Sequence, residues 1–485
     1  MTLLCQNNIG FVASGVAVPN YDRSGTEIGV VHFGPGAFHR AHQAYYFDKL
    51  LATNPNYAIA EISLNSPHVR DILNNQDNLY TLVQVNNSSA FQIIGAIKEV
   101  LFAPDARPRI IELLAAASTK FVTATITEKG YYLDANGKLD FVASEINDEL
   151  AKPTEFRTIY GALIAGLRTR KNAGIPPFAV LICDNLSNNG AVFKEALVDH
   201  ALRTAPELLE YVQSIACPCT MVDSITPATT DALRLKVEAA IHLKDNWPIA
   251  REPFSQWVIE EFDGHTQIDW STLGVSITND IGQYERAKLR ILNGAHSALA
   301  YFGILRGHEF VHQAMQDLEI KSHINLMINA EILPLLSADF SLNDYASAVM
   351  QRFENPEIRH SLSQIAWDGS KKLPFRILAS IEEALDANRS IARLTLSIAC
   401  WFAFIIKKAA ANDEIIDPLS VQLTAIGLEA SSCLGRPEPL VNLFTRSIPA
   451  FTKLRENQQF MDVLISAFSQ ISSQIGVQNE KPLIA

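Results

Sequence analysis

The stretch that most constrains this chain is IGVVHFGPGAFHR, residues 28–40. Ile28 to Phe33 is a short run rich in β-branched residues, and it ends at Gly34-Pro35-Gly36. Ala41 to Leu51 continue as a helix. A strand, a glycine turn and a helix in that order let the backbone and a helix N-terminus approach a diphosphate, as in a dinucleotide site. The third glycine of the usual pattern is His39 here, so the same residues also fit a plain tight turn. Further strands are expected at Tyr57–Leu64, Leu79–Val85, Phe91–Ile97, Phe121–Thr127 and Phe178–Cys183. The third and fourth runs, Leu79–Val85 and Phe91–Ile97, face each other across Asn-Asn-Ser-Ser, a hairpin-like connection.

From about residue 284 the pattern changes. Candidate helices with Ala- and Leu-rich faces follow one another almost to the end. The chain has 485 residues, too many for one ordinary core. We therefore expect an α/β fold in two parts, a dinucleotide-binding domain over 1–282 and a mainly helical substrate domain over 283–485. Hydrophobic residues make up 48% and charged residues 19%, the balance of a compact protein rather than a disordered one. The formal charge of −12 argues against nucleic acid or an anionic membrane as the main partner. The most apolar run, Leu394–Ile406, is shorter than the roughly 20 residues a bilayer needs, and is expected as a buried helix. No cationic start precedes a long apolar run, so no signal peptide is expected. The 6 cysteines are scattered, and Cys217-Pro-Cys219 lacks the spacing of a zinc knuckle. Buried free thiols in a reducing, cytoplasmic compartment follow. Monomer and small homo-oligomer both stay open.

The helix over 284–303 carries Lys288, Asn293 and His296. At α-helical winding Asn293 lies ~140° from Lys288 and His296 ~80°, which fits one side of the helix. A lysine in a cleft can be driven towards neutrality and serve as a base, with the amide and imidazole holding the reacting oxygen. The same residues also describe the solvated edge of a helix. Lys288 falls near the start of the helical domain, and a cleft between domains is a favoured place for an active site. Asn185 lies beyond the end of a buried strand, where ligands gather in α/β sheets, although Asn in such a loop more often makes an Asx-turn or a cap. The acid that normally binds ribose is missing after the second strand, where the chain reads Asn65-Ser66-Pro67-His68. Glu61 is expected inside that strand. His39 and His42 have i, i+3 spacing but no acid or cysteine cluster to complete a metal site, so no metal is expected.

The blocks HFGPGAFHRAHQAYYFD, TATITEKGYY, ICDNLSNNG, MVDSITP, EPFSQWVIE, KLRILNGAHSALAYFG and DGSKKLP stand in one order along the chain. Together they resemble the polyol-specific long-chain dehydrogenase/reductase family, which includes mannitol, arabinitol, fructuronate and tagaturonate enzymes. The resemblance implies an extended Rossmann-type N-terminal domain, a mainly α-helical C-terminal domain, zinc-independent chemistry and NAD as cofactor. It carries the base onto Lys288 and the oxygen-binding groups onto Asn185, Asn293 and His296. Glu128 and Glu285 fall on acidic positions of a proton relay. Phe33, Gly34, Gly36, Ala37, Phe38 and Asp223 fall on cofactor positions. Two departures stand out. Pro67 replaces an Asp found in NAD-selecting members and is followed by His68 and Arg70, which leaves NADP open. Ser224 replaces an Arg.

Within IRHSLSQIAWDGSKKLPFR, residues 358–376, Gln364, the pair Arg359–His360 and Arg376 look closer to the fructuronate-reducing members than to the mannitol ones. The resemblance thus implies a small sugar acid as substrate, with Lys372, Arg376, Arg359 and His360 binding it and Arg376 facing its carboxylate. The alternative is a neutral polyol or ketose handled by the same machinery.

Overall fold

The computed structural model describes residues 2–86 and 88–472, with the side chain of Glu128 outside that description. The chain divides into two compact units, Met1–Ile281 and Gly282–Ala485.

The first unit is built on a parallel sheet. Its strands are β1 (Ile28–Phe33), β2 (Ala58–Ser63), β5 (Ile97–Phe102), β6 (Phe121–Ala124) and β7 (Ala179–Ile182), in the order β5-β2-β1-β6-β7. β1 is central because nearly all of it is apolar, and both of its faces are covered. Val31 and Phe33 pack into one layer with Ala60 and Ile62, and Val30 packs into the other with Ile59, the alternation a strand imposes. The hairpin β3 (Tyr80–Gln84) and β4 (Ala90–Ile94) pairs with β9 (Ile249–Arg251), and β8 (Thr220–Asp223), β10 (Gln256–Glu260) and β11 (Val275–Thr278) form a third sheet. Asn87 of the hairpin connection lies outside the described residues.

Three elements differ from the sequence expectation, each for a local reason. The run Phe91–Ile97 is two strands, β4 and β5, because the Gly95 N–H is taken by Asp48 Oδ1 at 2.8 Å instead of a ladder partner. The helix after the glycine turn is broken at His42 (φ −119°, ψ −86°) into α1 (Ala37–Ala41) and α2 (Gln43–Leu51). There the His42 ring donates from Nε2 to the Gln256 carbonyl at 2.9 Å while Nδ1 accepts from Gln43. The strand at Phe121 stops at Ala124, because the N–H groups of Ile126 and Thr127 turn to the carboxylate of Asp184.

Among the described residues of the second unit all regular elements are helices. The helix Ala392–Ala410 runs through its core, with every residue from Leu394 to Ile406 buried. No helix is long and apolar enough to cross a membrane among the described residues. Three stretches wind as π-helix: Lys288–Asn293, Met327–Ile332 and Pro374–Leu378.

Candidate active site

In the first unit the glycine turn follows β1 directly. Gly34 has φ +94°, and a Cβ on it would stand 2.1 Å from the Thr125 carbonyl oxygen, so only glycine fits. Its own carbonyl accepts from the Gly36 N–H at 2.6 Å, the Thr125 hydroxyl at 2.8 Å and His32 Nε2 at 3.0 Å. Gly36 is different. It is exposed, and a Cβ there would meet nothing nearer than the Gly34 oxygen at 3.9 Å. The fold does not require glycine at that position, whereas close approach of a bulky diphosphate does. Ala37 and Phe38 open α1, and Phe38 stacks on the His42 ring. The Phe33 side chain is fully buried in the core, which leaves its backbone as the part available to a cofactor.

His39, in the place of the third glycine, packs on His32 of β1 and puts Nε2 3.2 Å from Glu61 Oε1. Burial holds the His39 imidazole down at about 3 and pushes the Glu61 carboxyl up to about 7. Glu61 is thus a buried strand residue. Beyond β2, Pro67 caps α3 (His68–Leu73), and His68 lies against Trp247. Arg70 does not stand alone. It pairs with Asp71 and, in the first turn of α4 (Ala103–Ala115), with Asp105, each at 2.7 Å. Asp223 is buried at the end of β8, and the hydroxyl of Ser224 donates to the Phe254 carbonyl.

Asn185 is exposed just past β7. The helix that follows, Asn189–Thr204, is capped by Asn188 at φ +54°, not by Asn185. Asn189 ties the loop down, donating to the carbonyls of Ile182, Asp184 and Thr220. Glu128 opens the short helix Glu128–Tyr131 after β6, and its side chain is outside the described atoms.

In the second unit Lys288 begins a π-helical turn and Asn293 ends it, with regular helix before it (Ile281–Ala287) and after it (Gly294–Leu305). This corrects the angle read from the sequence. In a π-turn the fifth residue on, not the fourth, completes the ring, so Asn293 returns over Lys288 instead of lying ~140° away. Glu285 is half-buried on the preceding turn. His296 is 7% exposed, tilted on Phe353 and edge-on to His360 at 5.0 Å. Burial first, then the charges of His360, Arg352 and Arg376, hold its pKa well below the usual imidazole range. The ring is therefore neutral, and its buried Nε2 has no hydrogen-bond partner among the described residues. An orphaned nitrogen of this kind is a candidate contact for a ligand oxygen, although among the described residues Trp257 Nε1 and His323 Nδ1 are buried in the same condition.

Arg376 sits on the π-turn Pro374–Leu378, which packs close enough that a Cβ on Gly294 would lie 3.1 Å from the Arg376 carbonyl. Its guanidinium donates to the Asn293 carbonyl at 3.4 Å and the Ser297 hydroxyl at 3.2 Å. Lys372 is half-buried nearby, its pKa lowered by burial and then by Arg376, against the pull of Asp368 and Asp417. His360 thus joins the group around His296. Arg359 does not: it is exposed, with its guanidinium over Phe310. Two residues were missed in the sequence reading. Ser297 follows His296 and braces Arg376. Arg290, nearly buried, bonds Glu383 at 2.9 Å and the Ser380 hydroxyl, and so pins the π-turn from behind. The only sequence signal for it is an arginine inside an apolar stretch.

A parallel sheet in this strand order, with a glycine turn after its central strand, is the architecture of dinucleotide-dependent oxidoreductases. Residues 28–272 match the mannitol dehydrogenase Rossmann domain, and residues 280–472 match the mannitol dehydrogenase C-terminal domain. The chain belongs to the mannitol dehydrogenase family. It is 34% identical to the mannitol 2-dehydrogenase of Neosartorya fischeri over 94% of this chain and 93% of that protein. It is 33% identical to mannitol dehydrogenase DSF1 of Saccharomyces cerevisiae, with the same coverage. Among solved structures, the Pseudomonas fluorescens mannitol 2-dehydrogenase ternary complex with NAD and D-mannitol is 32% identical, with a TM-score of 0.79 over 99% of this chain and all of that one. A D-sorbitol dehydrogenase in substrate-free form is 28% identical, with a TM-score of 0.87 over 98% of this chain and all of that one.

Proposed function

We propose that this chain is an NAD-dependent dehydrogenase that interconverts a mannitol-type polyol and its ketose at a secondary carbinol. The observation that carries the reading is the buried, unpartnered Nε2 of a neutral His296, one turn beyond the π-turn that sets Asn293 over Lys288. The relatives' names and the ternary complex of the Pseudomonas enzyme support the polyol and the NAD. Residues 1–282 act as the coenzyme-binding domain and 283–485 as the domain bearing the base. The backbone at Phe33, Gly34 and Gly36, together with Ala37, Phe38 and Asp223, serves the coenzyme, whose part is to take up or return the hydride. In oxidation Lys288 Nζ accepts the alcohol proton as the carbinol hydrogen leaves as hydride. Asn293, His296 and Asn185 donate hydrogen bonds to the oxygen as negative charge grows on it. The proton passes to solvent through Glu128 or Glu285. In reduction the same groups run backwards, with protonated Lys288 as the acid. The free cysteines fit a reducing, cytoplasmic setting.

A second reading is reduction of D-fructuronate to D-mannonate. It is favoured by the positive charge of Arg376 and Arg352 around His296, with Lys372 beside Arg376, which suits a carboxylate. In that reading Arg376, Lys372, Arg359 and His360 are the sugar-acid contacts. Steady-state rates with mannitol, fructose, arabinitol, tagaturonate and fructuronate, each with both coenzymes, separate the two. Lys288→Ala tests their common core: turnover collapses while NADH binding persists, and near-normal turnover refutes the assignment.

A further inference from the structure

The loops after β6 and β7 are joined by one carboxylate. Asp184 accepts from the backbone N–H of Ile126 at 3.0 Å and of Thr127 at 3.2 Å, and from the Tyr131 hydroxyl at 3.0 Å. All three donors belong to the neighbouring loop. The arrangement is anchored from both sides. The Tyr131 side chain is fully buried and its carbonyl accepts from the Tyr160 hydroxyl, while Asn189 grips the Asp184 carbonyl. Asp184 immediately precedes Asn185, and Thr127 immediately precedes Glu128.

Thr127 is also out of place. Its φ of +64° with ψ 164° is a conformation that a β-branched residue rarely adopts. Strain of this kind lasts only where the surroundings over-determine it, and it gathers at functional sites. The surroundings here are the Asp184 carboxylate, which takes the Thr127 N–H directly. A carboxylate suits the task because it only accepts, and three donors converge on it. An amide would turn its NH2 towards some of them.

We propose that Asp184 is a positioning residue for the reaction: it holds the Thr127–Glu128 backbone in its strained form against Asn185, so that one side chain sets the relay carboxylate and the oxygen-binding amide together. The inference rests on the roles assigned above to Glu128 and Asn185. The Asp184–Thr127 bond is not one of those that hold the Gly34 carbonyl or cap the helix after β7, so its loss reaches the chemical step before it reaches coenzyme binding.

The test compares Asp184→Asn, Tyr131→Phe, Thr127→Gly and the double variant Asp184→Asn/Thr127→Gly in the full chain. Asp184→Asn lowers kcat by about 10²-fold, the cost of a small misplacement of a catalytic group, with the NADH dissociation constant unchanged. Tyr131→Phe keeps the charge and removes one donor, and gives a smaller loss. Glycine adopts the Thr127 conformation freely, so the double variant regains part of the lost kcat and the effects are not additive. A folded Asp184→Asn enzyme with normal kcat, or no regain in the double variant, overturns the proposal. Should Asp184→Asn not fold, normal kcat in Tyr131→Phe overturns it. Glu128→Gln and Asn185→Ala, run beside these, separate the two failures. If both keep normal turnover, the roles assigned to them fall; if both lose it and Asp184→Asn does not, this proposal alone falls.

Discussion

The imidazole of His39 lies flat on that of His32, ring centres 3.3 Å apart and planes 13° from parallel. In the usual dinucleotide fingerprint this position is a glycine, which lets helix and strand pack closely. Here two rings, both fully buried, fill that space. Restoring the glycine should therefore harm the protein. His39→Gly removes a buried ring and leaves Glu61 without its neighbour, and should cost about 2–5 kcal/mol of stability, the range for large-to-small core changes. A denaturant midpoint equal to that of the parent would refute the packing role.

The Gly34 carbonyl is held inward by three donors, of which Thr125 is the easiest to remove without disturbing the core. Thr125→Val should weaken NADH binding by about 3- to 10-fold, the worth of one hydrogen bond, and leave kcat at saturating coenzyme as it was. Fluorescence titration of NADH reads this directly. Equal affinity in the variant would mean that the turn is shaped by Gly34 alone.

Buried titrating groups set the pH response of stability. His39, His42 and His323 are held at about 3 by burial, against an ordinary 6.5. Below pH 6.5 the unfolded chain takes up protons that these folded imidazoles refuse, so stability falls as pH drops from 6.5 towards 3. Glu61 works the other way: raised from 4.5 to about 7, it holds a proton in the folded chain that the unfolded chain has lost, and so costs stability as pH rises from 4.5 to 7. These imidazoles, joined by His32 and His296, outweigh Glu61 and the raised carboxyls of Asp48, Asp184 and Asp245 over most of that range. Urea midpoints should fall from pH 6.5 to 4, and His323→Gln, in the second unit, should make the fall shallower. A midpoint that rises on acidification would contradict the assignment.

Arg376 braces the carbonyl of Asn293 and the hydroxyl of Ser297. A change there therefore reaches Asn293, the amide proposed to bind the reacting oxygen, whatever the substrate. Both bonds come from the one nitrogen Nη1; Arg376→Lys moves the donor off that position, and should lower kcat on a neutral ketose as well as raise the KM for a uronate. This differs from a plain carboxylate contact, whose loss leaves fructose kinetics untouched. Parallel kinetics on fructose and fructuronate decide between them.

The missing ribose acid has a counterpart in the ion pairs of Arg70. An arginine beyond β2 would welcome a 2′-phosphate, but this one already answers to Asp71 and Asp105, and the trio carries a net negative charge. NAD should be preferred over NADP, and Asp105→Ala should narrow the gap by raising kcat/KM with NADP. No change in the coenzyme ratio would show that Arg70 is remote from the ribose.

Much of this could be read from residues alone, where the signal is local. The apolar run at Ile28, the glycines after it and the helical stretch at Leu394 each carry their structure in their own composition. What could not be read depends on partners distant in sequence. Nothing near Gly95 announces that Asp48 will take its N–H, and nothing in TITEKGYY announces that Asp184 will hold Thr127. The short strands at Thr220, Ile249, Gln256 and Val275 have too few residues for any periodicity to show. The π-winding at Lys288 has no compositional mark, because the same residues would serve an α-helix equally well.

That widened turn between Lys288 and Asn293 has a consequence for anyone who aligns or edits this gene. The helix has absorbed an extra residue without losing its axis. Deleting one position inside the turn would give back ordinary winding and leave His296 and everything downstream on the face they now occupy, whereas a deletion in the flanking α-helix would swing them by about 100° about the axis. A one-residue gap inside the turn, at a position other than Lys288 or Asn293, should therefore be tolerated better than the same gap placed beyond Gly294.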